Sequence, residues 1–105
     1  MKPIAVVTTV ANREDAHRLA RTLVERKLAA CAQISEMESI YHWQGEVQQA
    51  AELRVLFKTT DERYELVEST IRELHPYELP EFIVLDATAS VAYAAWVRES
   101  IAPDA

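Results

Sequence analysis

The chain has 105 residues, with 17 acidic against 11 basic side chains, a formal charge of -6 and no run of Lys or Arg, which excludes the electrostatic footprint of a phosphate-backbone binder. Its lone cysteine, Cys31, excludes an intrachain disulfide and the C-x-x-C spacing of a zinc ribbon or redox motif, and no apolar stretch approaches the roughly 20 residues that cross a bilayer. A single domain over residues 1–105 is expected, folding with no metal or disulfide required, in a reducing cytoplasmic setting and with neither nucleic acid nor membrane as a partner.

Ile4 to Val10 is a nearly continuous β-branched run, the pattern of a central strand buried on both faces. Asn12 then caps a helix with Glu14 and Asp15 in its first turn, and Ala16, Leu19, Ala20, Leu23 and Val24 place an apolar stripe on one side through about Leu28. Strand-like residues run from Ala30 to Trp43 and from Val47 to Thr60, joined at Gln44-Gly45-Glu46, which holds the only glycine. Thr60 or Asp61 is positioned to cap a second helix with the stripe Tyr64, Val67, Ile71 and Leu74, and Pro76 ends it. Phe82 to Ala87 reads as a last strand, and Ser90 as the cap of a short helix with Tyr93, Ala94, Val97 and Ile101 on one side, before a loose end at Pro103-Asp104-Ala105.

This order predicts an α+β fold, a ferredoxin-like β-α-β-β-α-β sandwich with a long central hairpin and a short C-terminal helix. At about 3.3 Å per residue the first strand spans roughly 23 Å and the stretch from Ala30 roughly 46 Å, so the hairpin must overhang the sheet. Alternation slips between Ile34 and Ile40, which predicts a bulge or bend. The overhang carries Ile40, Tyr41, Trp43 and Val47, and a bare two-stranded ribbon of that kind needs cover from other subunits, so a homo-oligomer is expected.

The segment from His75 to Glu81 sets an imidazole, a phenol and two carboxylates between Pro76 and Pro80, whose fixed φ angles stiffen the turn; a helix stop followed by a strand start is the plainer account of the same residues. Cys31 is the one soft ligand and the one good nucleophile, yet its small apolar neighbours and the lack of a nearby cation along the chain favour core packing. In this topology it lies at the opposite end of the sheet from His75, too far for one metal within a protomer. Lys58 is unusual beside a core and aims at an anion or at an acidic neighbour, unless it simply reaches solvent. Glu81 is placed to orient His75, hold a cation or pair with Lys58, while His42 at the hairpin tip and His17 on the first helix read as solvated. No catalytic signature is present, and no enzyme is expected.

Together, Lys27-Leu28-Ala29-Ala30-Cys31-Ala32, Ser39-Ile40-Tyr41-His42-Trp43-Gln44-Gly45, Phe57-Lys58-Thr59-Thr60, His75-Pro76-Tyr77-Glu78-Leu79-Pro80-Glu81 and Tyr93-Ala94-Ala95-Trp96 resemble the CutA divalent-cation-tolerance family over nearly the whole chain. The resemblance implies a ferredoxin-like protomer in a tight homotrimer, similar in architecture to the PII signalling proteins, and a link to copper and other divalent metal ions. It further implies an intersubunit cleft lined by Cys31, Trp43, Lys58, His75, Tyr77 and Glu81, with Cys31 and His75 as metal ligands; two protein ligands leave the remaining coordination to Glu81, to water or to a neighbouring subunit. Some members carry a histidine just before the H-P-Y block, where this chain has Leu74, so a paired-histidine site is incomplete. Two uses follow: divalent metal ion binding and tolerance, or a PII-like sensor that takes a small anionic metabolite or nucleotide in the cleft.

Overall fold

The computed structural model describes residues 2–103. Strand β1 (Pro3–Val10) is followed by helix α1 (Arg13–Glu25), the long strands β2 (Cys31–Trp43) and β3 (Glu46–Thr60), helix α2 (Tyr64–Leu74), strand β4 (Ile83–Asp86) and helix α3 (Val91–Ser100). The strands form one antiparallel sheet in the order β2-β3-β1-β4, the ferredoxin-like arrangement that the order of elements predicts.

Local chemistry sets most boundaries. The Asn12 side chain accepts from the Asp15 backbone N–H at 2.9 Å and so starts α1. At its far end Lys27 has φ 58°, and the bonds from Leu28 N to Leu23 O and from Lys27 N to Val24 O close a Schellman motif that tucks Leu28 under Leu23. Ser90 caps α3 by accepting from Tyr93 N at 3.1 Å. Helix α2 begins differently from the expectation: a short 3-10 turn at Asp61–Arg63 precedes it, and neither Thr60 nor Asp61 makes a side-chain cap. Asp61 instead accepts from the Lys2 backbone N–H at 3.0 Å, joining the start of β1 to the end of β3. His75, with φ -78° and ψ 133°, ends α2 in the extended form that a following proline imposes.

Helices α1 and α2 cover one face of the sheet. Val6, Val10, Val55 and Phe57 from the strands meet Ala16, Leu19, Leu23, Val67 and Ile71 there, all buried. Val24, read as part of the α1 stripe, lies outside this core and is exposed. The loose end expected at Pro103-Asp104-Ala105 falls, beyond Pro103, outside the described residues.

Pairing between β2 and β3 runs without interruption from Cys31↔Lys58 to Trp43↔Glu46, so the bulge expected between Ile34 and Ile40 is absent. The slip in alternation has another cause. Strand β1 supports β3 only as far as Val10↔Leu53, and beyond that rung no third strand among the described residues lies alongside the ribbon, so burial no longer dictates which side is apolar. Glu36, on the helix side at this boundary, is occupied by an ion pair with Arg13 of α1. The overhanging ribbon leaves Ile40 68% and Val47 67% exposed on one face, with Tyr41 and Trp43 on the other.

Candidate functional site

The register sets Cys31 opposite Lys58, and Lys58 opposite Ala5 of β1. Side chains directly across adjacent strands share a face, and the flanking Ile4, Val6, Phe57 and Thr59 fill the helix-covered side, so Cys31, Lys58 and Ala5 all project to the other side. Helix α3 crosses that side. One turn beyond its Ser90 cap, the Tyr93 hydroxyl accepts from Lys58 Nζ at 3.3 Å and lies 4.0 Å from Cys31 Sγ. The ammonium also sits 5.3 Å from the Tyr93 ring centroid, within range of attraction to the ring face. Among the described residues, Lys58 has no carboxylate partner, Glu81 included. Around it opens a depression of about 500 Å³ whose walls come from β1, β3, the loop before α3, and α3 itself.

A second group forms at the other end of the sheet. His75 is 8% exposed and uses both ring nitrogens: Nε2 donates to the Thr9 carbonyl at 2.7 Å, and Nδ1 accepts from Tyr77 N at 3.1 Å. Strand β4 pairs with β1 only over Ile4 to Val7, so the imidazole supplies a donor to a β1 carbonyl past the last β4 pair. Burial lowers the His75 pKa from its ordinary 6.5, a trend that the bond to Thr9 opposes only in part. The Tyr77 ring packs edge-on to His75 at 4.8 Å, and its hydroxyl donates to Glu52 Oε2 at 2.9 Å. Burial, with the Glu52 carboxylate second, raises the phenol pKa far above its usual 10.0.

The residues singled out from the sequence therefore divide. Cys31 and Lys58 come together, and Tyr93, read from the sequence as part of an apolar stripe and of a family-like block but not as a site residue, joins them. His75 and Tyr77 form a separate group, four rungs or roughly 13 Å further along the strands and two strands across. Trp43, at the hairpin tip, lies twelve rungs or roughly 40 Å from Cys31. Glu81 is exposed, and His75 is oriented by Thr9 and Tyr77 in its place. His17 and His42 are exposed. No group of three or more His, Cys, Asp or Glu side chains able to hold a metal occurs among the described residues. Tested as a donor set, one chain offers a cation the Cys31 sulfur, with the Lys58 ammonium beside it opposing positive charge, so this end suits an ion only when further donors come from elsewhere.

A family model described as CutA1 divalent ion tolerance protein matches residues 4–100. The chain belongs to the CutA family. It is similar to the divalent-cation tolerance protein CutA of Thermus thermophilus, 41% identical over 97 residues, which covers 90% of this chain and 94% of the relative. The solved structure of CutA from Synechococcus elongatus superposes with a TM-score of 0.93 at 38% identity, over 96% of this chain and 91% of that one. A third, described as the periplasmic divalent cation tolerance protein CutA from Archaeoglobus fulgidus, gives a TM-score of 0.92 at 27% identity over 95% of this chain and 99% of that one. The CutA relationship thus extends across the sheet, the overhanging hairpin and both residue groups. No helix among the described residues is long and apolar enough to cross a membrane.

Proposed function

We propose that the chain is a non-catalytic, cytoplasmic homotrimer that binds divalent metal ions, copper among them, and acts in tolerance of or response to them. The observation that carries this reading is the half-buried thiol of Cys31 on the sheet face left open by α1 and α2, in a chain whose relatives are named for divalent-cation tolerance. Cys31 supplies the soft ligand, and water or a neighbouring subunit completes the coordination. Glu81 is exposed and available as an oxygen donor in such a shared site, whereas His75 serves only by giving up Thr9 or Tyr77. The trimer reading draws on the unsupported ribbon and on β4, whose Ile83, Val84 and Leu85 are all exposed. An unpaired thiol fits a reducing compartment, and cell fractionation tests that placement.

Copper titration of the wild type beside Cys31→Ala and His75→Ala decides the ligand set. Loss of at least about tenfold in affinity with Cys31→Ala is expected. Equal weak binding by all three proteins removes the metal reading.

One observation favours a second reading, a PII-like sensor for a small anionic metabolite or nucleotide. Lys58 lines the depression and lacks a carboxylate partner among the described residues, so its charge is left for a ligand.

A further inference from the structure

The depression beside α3 has a chemistry narrower than anion binding in general. Among the described residues that line it Lys58 alone is charged, although the chain as a whole carries -6. Tyr93 holds the ammonium from one side, at 3.3 Å from its hydroxyl, which leaves Lys58 N–H groups to donate elsewhere. Much of the remaining wall is hydrocarbon from Ala5, Leu56, Ala89 and Val97. A volume of about 500 Å³ suits a small organic molecule. A polyphosphate finds little here: a single cation leaves most of its charge unmatched, and the only glycine, Gly45, is at the hairpin tip, so no glycine-rich loop brings backbone N–H groups to phosphates.

We propose that this depression binds a small monocarboxylate with an apolar body, its carboxylate on Lys58 Nζ and its hydrocarbon against Ala5, Leu56 and Val97. This deepens the second reading above and rests on it. It narrows the ligand from any anionic metabolite to one of a single charge, and removes nucleotides from the class. Lys58 supplies the charge-assisted bond, Tyr93 positions Lys58, and the apolar walls discriminate against small hydrophilic anions.

The test uses the full chain in its native assembly, titrated at low salt with phenylacetate, with phenethyl alcohol as the neutral isostere and with inorganic pyrophosphate, and followed by calorimetry or by amide NMR shifts. Phenylacetate is expected to bind and to shift residues around Lys58 and Tyr93, with the alcohol at least about tenfold weaker. Lys58→Met is expected to lose about tenfold or more for phenylacetate while leaving the alcohol unchanged. Should Lys58→Met fail to fold, Ala89→Leu, which adds bulk to the wall, and Tyr93→Phe, which frees the ammonium, decide in its place, both weakening phenylacetate. Equal binding of acid and alcohol overturns the proposal, as does phenylacetate affinity unmoved by these substitutions. Pyrophosphate binding tighter than phenylacetate overturns it while leaving the anion-sensor reading intact, and no binding of either anion up to about 10 mM removes both.

Discussion

The Tyr77 hydroxyl donates to Glu52 at 2.9 Å, and Glu52 is the first β3 residue beyond the last rung that β1 supports. The turn after α2 is thereby fastened to the root of the overhanging ribbon, which gives the stiff His75–Tyr77 segment a structural duty separate from metal chemistry.

Tyr77→Phe removes a hydrogen bond to a charged acceptor and leaves the Glu52 carboxylate half-buried, for an expected cost of about 1–3 kcal/mol. Chemical denaturation checks the total. Faster amide exchange in residues 46–52 than in β1 locates the effect at the ribbon root.

Stability is expected to fall on mild acidification through His75. Its folded pKa lies below 6.5 because burial disfavours the imidazolium, and the Nδ1 that accepts from Tyr77 N would then carry a proton. Between the folded value and 6.5 the unfolded chain binds more protons, so the contribution is complete above about 6.5 and is lost as pH falls through the folded value. Denaturation midpoints measured near neutrality and in mild acid, for wild type and for His75→Gln, isolate this component: the variant lacks it.

The hairpin tip separates backbone from packing effects. Gln44 and Gly45 have φ of 52° and 80°, the positive pair that a type I′ turn requires, and a Cβ at Gly45 would meet nothing within 4 Å. Gly45→Ala is therefore expected to cost about 1 kcal/mol through left-handed strain alone. Gln44→Asn, the residue such turns prefer, is expected to shift stability the other way by a few tenths of a kcal/mol in the same denaturation experiment.

Ile40→Glu with Val47→Glu charges the most exposed apolar positions of the ribbon without touching the helix-covered core. If the proposed trimer is held through this ribbon, sedimentation is expected to show an assembled wild type and dissociation of the variant to folded protomers. An unchanged assembly would place the contacts elsewhere, on β4 or the opposite ribbon face.

Features governed by short-range chemistry were legible in the chain: the Asn12 and Ser90 caps, the turn at Gly45 and the stop before Pro76 each depend on a few adjacent atoms. The Cys31–Lys58 pairing was not read from the chain: a three-residue joint at Gln44-Gly45-Glu46 and an expected bulge or bend both displace the count, whereas the two-residue turn Gln44-Gly45 pairs Trp43 with Glu46 and puts Cys31 opposite Lys58, a cation hidden from any search confined to neighbours along the chain. Tyr93 was not legible, since its approach depends on how α3 is rotated over the sheet, and a tyrosine among Ala94, Val97 and Ile101 reads as one more apolar position. The absent bulge has the opposite lesson: alternation reports burial, and where a ribbon leaves its sheet the pattern lapses though the pairing does not.

That unbroken ladder from Cys31 to Trp43 also restricts how the arms can change in length over evolutionary time. A one-residue insertion in either strand would invert every side chain between it and the tip, so viable growth or shortening must come in matched pairs on both strands. Arm reach is consequently quantised, moving in steps of about 7 Å when the tip is to keep its orientation.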